Sequence, residues 1–467
     1  MAGRLSAKQM NMTEGPIAGK FLIFCLPIVL TGMLQLLFNA ADIIVVGQFV
    51  DETAVAAVGS TSFLINLSVN LFIGIATGVT ALISTEIGRG DFAQVRKSAH
   101  TAVALGIIFG VFVMVVGFLG APTFLRLMQT PADVIDQATL YLKIYFCGTP
   151  FFMVYSFGRA VLITTGDTRR PLYYLSGAGV FNVLFNILLV TQFDFGVAGV
   201  AIATISAQMI SAVLVMHRLY VIDGPCHVDL RHLLIDPRAV REILHLGMPS
   251  GIQSVLFSVS NVMIQSSVNS LGTSYVSANA TAGSIEGFVW IAMNGFDQGA
   301  MTFIGQNYGA GKVERFNRIY AIATGYCIAI GLGLGMLVMA ARVPLTMFYL
   351  PDAPKAVQIA SDRLVIFMLT YWMCGTMNVA CACARGMNRP MVPMIATLIG
   401  VCALRVLWIL WGFGAVREQL GSDAAYTSLV LTYPASWILT GAFVIWYYVH
   451  IRNMLARKLA AGETASI

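Results

Sequence analysis

"STEIGRGDFAQVRKSAHTA", residues 84–102, sets Arg89, Arg96 and Lys97 between two long apolar runs, and its pattern returns as "GQNYGAGKVERFNRIYAIA" at 305–323. Gly88 and Gly90 fall on Gly309 and Gly311 at an offset of 221. "LPIVLTGMLQ" (26–35) answers "MPSGIQSVLF" (248–257), Pro27 against Pro249. "ITTGDTRRP" (163–171) answers "CARGMNRP" (383–390), each ending on a proline at the mouth of the next apolar run. The chain is therefore a tandem repeat, and each half carries six apolar blocks. Two copies inserted the same way up are related by a pseudo-two-fold axis along the membrane normal, which places a substrate site where they meet.

Composition fixes the solvent. Of 467 residues, 58% are hydrophobic and 11% charged, with mean hydropathy +0.79. A soluble domain carries roughly 25% charged residues, and a spanning helix needs about 20 apolar ones. The sequence predicts an all-α polytopic membrane protein of twelve transmembrane helices. They fall at 20–47, 55–84, 97–121, 137–163, 171–193 and 196–219, then 241–270, 276–305, 318–341, 358–385, 391–414 and 425–450. The expected organisation is a cytoplasmic tail (1–19), a first six-helix lobe (20–219), a linker (220–240), a second lobe (241–450) and a C-terminal tail (451–467). The opening residues show no cleavable-leader pattern.

Lys and Arg set the orientation. Twenty of the 28 lie in the two tails, the linker and the other links on the same side. Six (Arg126, Lys143, Arg342, Lys355, Arg363 and Arg417) fall in the alternate links, and Arg159 and Arg405 fall inside spans. The positive-inside rule places both termini in the cytoplasm. That asymmetry accounts for the net charge of +6 without a nucleic-acid partner. The eight cysteines form no framework. Cys226, His227 and His232 in the linker hint at a metal, but no second ligand pair joins them, and a solvated loop is the simpler reading.

Polar side chains inside spans mark the faces turned away from lipid. Gln35, Asn39 and Asp42 lie at i, i+4 and i+7 on the first span. Asn66 and Asn70, Asn182 and Asn186, and Thr204 and Gln208 supply polar faces on spans 2, 5 and 6. Gln253 belongs to a polar side of span 7. Glu286 and Asp297 share a face of span 8 with Met293 between them, roughly 16 Å apart along the axis. Arg405 occupies in span 11 the place of Asn186 in span 5, and a Glu286–Arg405 salt bridge is the plain structural alternative to a role in binding. Helix ties account for most of the amides and hydroxyls. The acids are harder to dismiss, because a charged Asp at mid-helix costs about 2.5–3.5 kcal/mol. Burial also disfavours an ionised carboxyl, which suits Asp42 to ion exchange. No histidine lies near these acids at membrane depth: His100, His217, His245 and His450 sit near span ends. An intramembrane enzyme is therefore not expected.

Together, "GRGD" and "GQNYGAGK", "GDTRRP" and "ARGMNRP", the Leu-Pro and Met-Pro of spans 1 and 7, and "GVAGVAIATISAQ" (196–208) resemble the multidrug and toxic compound extrusion (MATE) family, closer to its DinF-like branch. The resemblance runs from about residue 14 to 452. It implies an inner-membrane efflux transporter with two six-helix lobes, working by alternating access as a monomer without a cofactor. Cationic or amphipathic compounds would leave in exchange for H⁺ or Na⁺. Asp42 matches the ion-coupling aspartate of the DinF-like branch, with Gln35, Asn39, Asn182 and Asn186 around it and Na⁺ as one candidate ligand there. Pro27 and Pro249 would be hinges. Asp42, Gln253, Glu286, Met293, Asp297 and Arg405 would contact substrate. The sequence departs from the family where some members carry a second acid on span 5, since Asn186 stands there. It also lacks mid-span acids on spans 7 and 10, where only the terminal Glu242 and Asp362 occur. A lipid-linked oligosaccharide flippase of the same superfamily is the alternative; it would need a basic cleft, and only Arg159 and Arg405 are available for one.

Overall fold

In the computed structural model the chain is described over residues 10–461, except 51, 129 and 133. Parts of both expected tails, 1–9 and 462–467, lie outside the described residues. Every regular element described is helical. In order, the helices are α1 (Ile17–Phe49), α2 (Glu52–Arg89), α3 (Phe92–Leu127), α4 (Ile135–Cys147), α5 (Thr149–Thr164), α6 (Arg169–Thr191), α7 (Gly196–Val221) and α8 (Pro237–Asn269). They continue as α9 (Thr273–Gly309), α10 (Phe316–Ala340), α11 (Arg342–Tyr349), α12 (Pro354–Gly386), α13 (Met391–Thr397), α14 (Leu404–Leu407) and α15 (Gly414–Ala460). Among the described residues, eight helical runs are long and apolar enough to cross a membrane, or nine with one bent pair. Large apolar side chains lie exposed along them, Leu119, Phe112, Leu410 and Trp411 among them, as lipid-facing helices require.

The differences from the expected twelve have local causes. The block at 137–163 is two helices, α4 and α5, bent by 44°. Pro150 has no amide hydrogen for the Phe146 carbonyl, and the Thr149 hydroxyl donates to that oxygen instead at 2.7 Å. Helices α8 and α9 have the length of spans but are too polar to count as apolar ones; their Ser, Gln, Asn and carboxylate side chains serve the protein interior. From Met391 to Ala460 the path is one helical run, broken at Gly421. Its φ of 87° is a left-handed conformation that glycine adopts without a Cβ clash.

The chain divides into two compact units. The first holds Leu30–Gly251 with the N-terminal residues to Asn11; the second holds Met12–Val29 and Ile252–Ile467. The boundaries therefore fall two residues after Pro27 and after Pro249. Within the first unit, α8 crosses α2 at backbone distance. A Cβ on Gly78 would stand 2.4 Å from the Ile243 carbonyl oxygen, and one on Gly74 would stand 2.5 Å from the Gly251 backbone. Gly74 and Gly78 thus face Gly247 and Gly251, a small-xxx-small crossing on both helices. The second unit repeats this arrangement. A Cβ on Gly295 would meet Val29 and one on Gly299 would meet Cys25, so α9 receives residues 21–29 of α1. Gly295 and Gly299 are Gly74 and Gly78 shifted by the same 221 residues. Phe21 completes that contact, packing edge-on to Phe303 at 5.2 Å.

The short polar segments are also ordered by packing. In the second unit Asn307 donates to the Met12 carbonyl at 3.1 Å and Lys312 to that of Thr13 at 3.1 Å. In the linker, Cys226 and Val228 are fully buried, so the solvated-loop expectation fails for these two residues. Burial pushes the Cys226 thiol up to about 12, against a hydrogen bond to Thr164 that pulls it down. His232 instead pairs with Asp229 at 2.8 Å. Among the described residues no three metal-ligating side chains gather.

Candidate ion and substrate sites

In the first unit, α1, α6 and α7 converge on the Asp42 carboxylate. Asn186 Nδ2 donates to its Oδ1 at 2.9 Å and Thr204 Oγ1 to its Oδ2 at 3.3 Å. Both donors are neutral, and among the described residues no cation pairs with this acid. Asn186 is fully buried and Asn182 nearly so, and the amide oxygen of each lacks a donor. Asn186 thus brings an orphaned oxygen beside the carboxylate, and Asn182, four residues before it on α6, carries another; acceptors of this kind suit a proton or a hard cation. Tyr141 and Tyr145 lie within electrostatic reach of the same carboxylate.

The rest of the expected stripe is placed differently. Gln35 and Asn39 are exposed, and no hydrogen bond joins either to Asp42. Asn66 and Asn70 of α2 do not bond it either. Among the described residues, the hydrogen-bond partners of Asp42 come from α6 and α7.

The second unit holds opposite charges. Glu286 on α9 makes a two-pronged ion pair with Arg363 on α12, both contacts at 2.8 Å and both residues buried. Arg363 also donates to Asn279 Oδ1, which accepts from Tyr426 at 3.3 Å, and Asn279 Nδ2 donates to Gln265 at 2.8 Å. This corrects two expectations. The partner of Glu286 is Arg363 rather than Arg405. Arg363, counted with a link although the expected span 358–385 already held it, lies inside α12, which starts at Pro354. Arg363 also lines a pocket of about 380 Å³ with Tyr275, Lys355, Asp362, Asp423 and Tyr426.

Met293 does not line an open surface. It is buried, with its sulfur 3.0 Å from where a Cβ on Gly331 or Gly375 would stand, so it fills the seam of α9 with α10 and α12. Asp297 is buried, with Oδ1 lacking a donor, within reach of Cys25, Cys327, Cys374, Cys381 and Cys383 and of Arg385. Gln253 is buried in α8. Arg405 is buried against Ser436 and Tyr433. Sequence reasoning missed Arg363, Asn279, Tyr433 and Ser436. The available signal for the first was that Pro354 opens a helix at its N-terminus, leaving Arg363 more than two turns inside.

The MatE family pattern matches residues 27–188 and again 249–410, starting on Pro27 and on Pro249. The chain belongs to the MatE family. This is a family of ion-coupled antiporters, not of enzymes, and the chain is a multi-pass membrane protein. It is 26% identical over 438 residues to the probable multidrug resistance protein YoeA of Bacillus subtilis, covering 91% of this chain and 92% of that one. The fold matches a MOP superfamily transporter from Pyrococcus furiosus with a TM-score of 0.88 at 18% identity, covering 96% and 99% of the two chains. It also matches an outward-facing multidrug resistance MATE family transporter with a TM-score of 0.88 at 18% identity, over 97% and 99%. Pairing the prolines sets Asp42 against Ile264, one residue on from the Met263 given by the glycine offset. Either way the second repeat has no acid there.

Proposed function

We propose that this MatE protein is a multidrug efflux transporter of the DinF-like branch, exporting cationic and amphipathic compounds from the cytoplasm in antiport with H⁺ or Na⁺. The single observation that carries the reading is an acid inside a membrane helix, Asp42, held among the described residues by the neutral donors Asn186 and Thr204 and by no cation. An acid held this way keeps its charge available to a mobile cation. Substrate and coupling ion then compete for one carboxylate. A proton or Na⁺ arriving from outside neutralises Asp42, substrate affinity falls, and cargo leaves. Asn182 and Asn186 would offer Na⁺ their unpaired amide oxygens. Each charge moving inward gains about 2.3 kcal/mol per 100 mV of potential.

The full arrangement in this reading is twelve spans in two six-helix lobes, both termini cytoplasmic, in the inner membrane, acting as a monomer. Alternating access would bend α1 and α8 at Pro27 and Pro249, beside the points where the chain passes between its compact units. Asp42, Gln253, Glu286, Asp297 and Arg405 would meet substrate during the cycle, Glu286 only after parting from Arg363. In inverted vesicles under an imposed pH or Na⁺ gradient, Asp42→Asn is expected to reduce gradient-driven accumulation of a cationic dye to background. Accumulation at the wild-type rate would remove Asp42 from the coupling site.

A further inference from the structure

The repeated motif at 163–171 and 383–390 ends on Arg-Pro in both copies, Arg170 with Pro171 and Arg389 with Pro390. In the first unit the cations there have a protein counter-charge. Asp167 Oδ2 lies 2.5 Å from Arg170 Nη1 and 3.5 Å from Nε of Arg218, near the end of α7. The matching motif of the second unit, "CARGMNRP", holds no acid, and the last helix there, α15, carries none between Asp423 and Glu463. Its end is basic instead, with Arg452, Arg457 and Lys458. Among the described residues none of Arg389, Arg452, Arg457 and Lys458 has a carboxylate within ion-pair distance. The hydrogen bonds of Arg452 go to the neutral amide oxygens of Asn317 and Asn453.

The packing of α15 places this basic end at a membrane boundary. Buried Tyr448 fixes the last turns of α15 on α10, its hydroxyl donating to the Phe316 carbonyl at 3.1 Å and its ring stacking on Tyr320 at 4.5 Å. The outward side is left to Phe443 and Trp446, 45% and 59% exposed, and Trp446 stacks on His450 at 5.6 Å. An exposed tryptophan near the end of a membrane helix settles at the headgroup level. Arg452 follows it by six residues, about 9 Å along the axis. Side chains on a helix lean toward its N-terminus, so Arg457 and Lys458 reach back toward the bilayer. Helix α13 packs against α15. Arg389, just ahead of α13, is exposed and within electrostatic reach of Tyr447.

We propose that Arg389, Arg452, Arg457 and Lys458 form a docking face for the phosphate of an anionic phospholipid. The lipid supplies to the second unit the negative charge that Asp167 supplies to the first. Guanidinium groups hold phosphate oxygens by paired N–H···O bonds, and basic residues just outside a span attract anionic headgroups. Trp446 lies on the acyl-chain side of the same headgroup. The face is independent of what the protein transports.

The test is native mass spectrometry of the purified full chain, released from detergent micelles doped equally with phosphatidylglycerol and phosphatidylcholine of the same acyl chains. The wild type is expected to retain phosphatidylglycerol over phosphatidylcholine by at least about fivefold; equal retention overturns the proposal. Arg389→Gln with Arg452→Gln is expected to bring the two lipids to near parity, and an unchanged preference overturns it. Asn453→Asp, at an exposed position, keeps every cation and gives Arg452 a carboxylate where it already donates. That variant is expected to lower the preference too, and no change there counts against the proposal without any arginine having to be removed. Arg170→Gln, whose cation already has Asp167, is expected to behave as wild type. A loss equal to that of the double variant would reduce the preference to net charge and overturn the assignment to this face. Added inorganic phosphate is expected to leave the lipid bound; its displacement of phosphatidylglycerol would give the face to free phosphate and overturn the lipid assignment.

Discussion

The two compact units share a packing code and diverge in charge. Gly74 and Gly78 on α2 admit α8, and Gly295 and Gly299 on α9 admit α1, at the same spacing and the same offset. The buried charges follow no such repeat. The first unit holds an acid among neutral donors, Asp42 with Asn186 and Thr204. The second sets an apolar residue in place of that acid, neutralises Glu286 with Arg363, and keeps Asp297 and Arg405 buried with no ion pair for either among the described residues. Close helix packing depends on backbone shape, so both copies must keep it. Ligand chemistry depends on a few side chains, which each copy is free to change.

The contrast can be broken most severely at the ion pair. Glu286→Gln leaves Arg363 buried without a counter-charge and should destabilise the protein by roughly 3–5 kcal/mol, whereas Glu286→Met with Arg363→Met should recover most of that loss. Thermal unfolding in detergent measures both; equal melting of Glu286→Gln and wild type would refute the pairing. The glycine crossings should differ from each other more modestly. In Gly78→Ala the new methyl meets backbone, the Ile243 carbonyl, while in Gly299→Ala it meets the Cys25 side chain, which can move. The first should cost about 1–3 kcal/mol and the second less. The reverse order in unfolding scans would show that the two crossings are not equivalent in the way described.

The smallest effect lies at the start of α8. Asp236 accepts from the Ala239 amide at 3.2 Å and from Gln94 Nε2 at 2.9 Å. The Gln94 hydrogen bond holds its carboxyl below the usual range. The stabilisation it brings is therefore complete above the unfolded value of about 3.9 and disappears as pH falls through the lower folded value. Asp236→Ala should cost about 1 kcal/mol at neutral pH, as loss of a helix cap does, and nothing in strong acid. A pH-independent difference in melting temperature would contradict this.

Much of the architecture was legible because repeats write themselves in prolines and glycines. Pro27 with Pro249 and the paired Gly-x-Gly turns gave the duplication, which the family pattern matches twice. The helices α8 and α9 were legible as elements although their polarity hides them from an apolarity count. The Gln35–Asn39–Asp42 spacing was a weaker guide. Helical spacing fixes a face, but not how far along that face a neighbour covers it, and only Asp42 meets α6 and α7. Arg363 was misplaced for a related reason. Its partner Glu286 is 77 residues away, and local charge counting sends an arginine near a span end to the link. Met293 shared a face with two acids, yet the small residues Gly331 and Gly375 opposite it made that part of the face core.

The central claim is that substrate and coupling ion compete for Asp42. It is tested most directly by titrating a cationic dye onto the purified protein at several pH values and Na⁺ concentrations. The account predicts that wild-type affinity falls as protons or Na⁺ rise, and that Asp42→Asn binds weakly with no such dependence. A variant that keeps the wild-type dependence on either ion would contradict it.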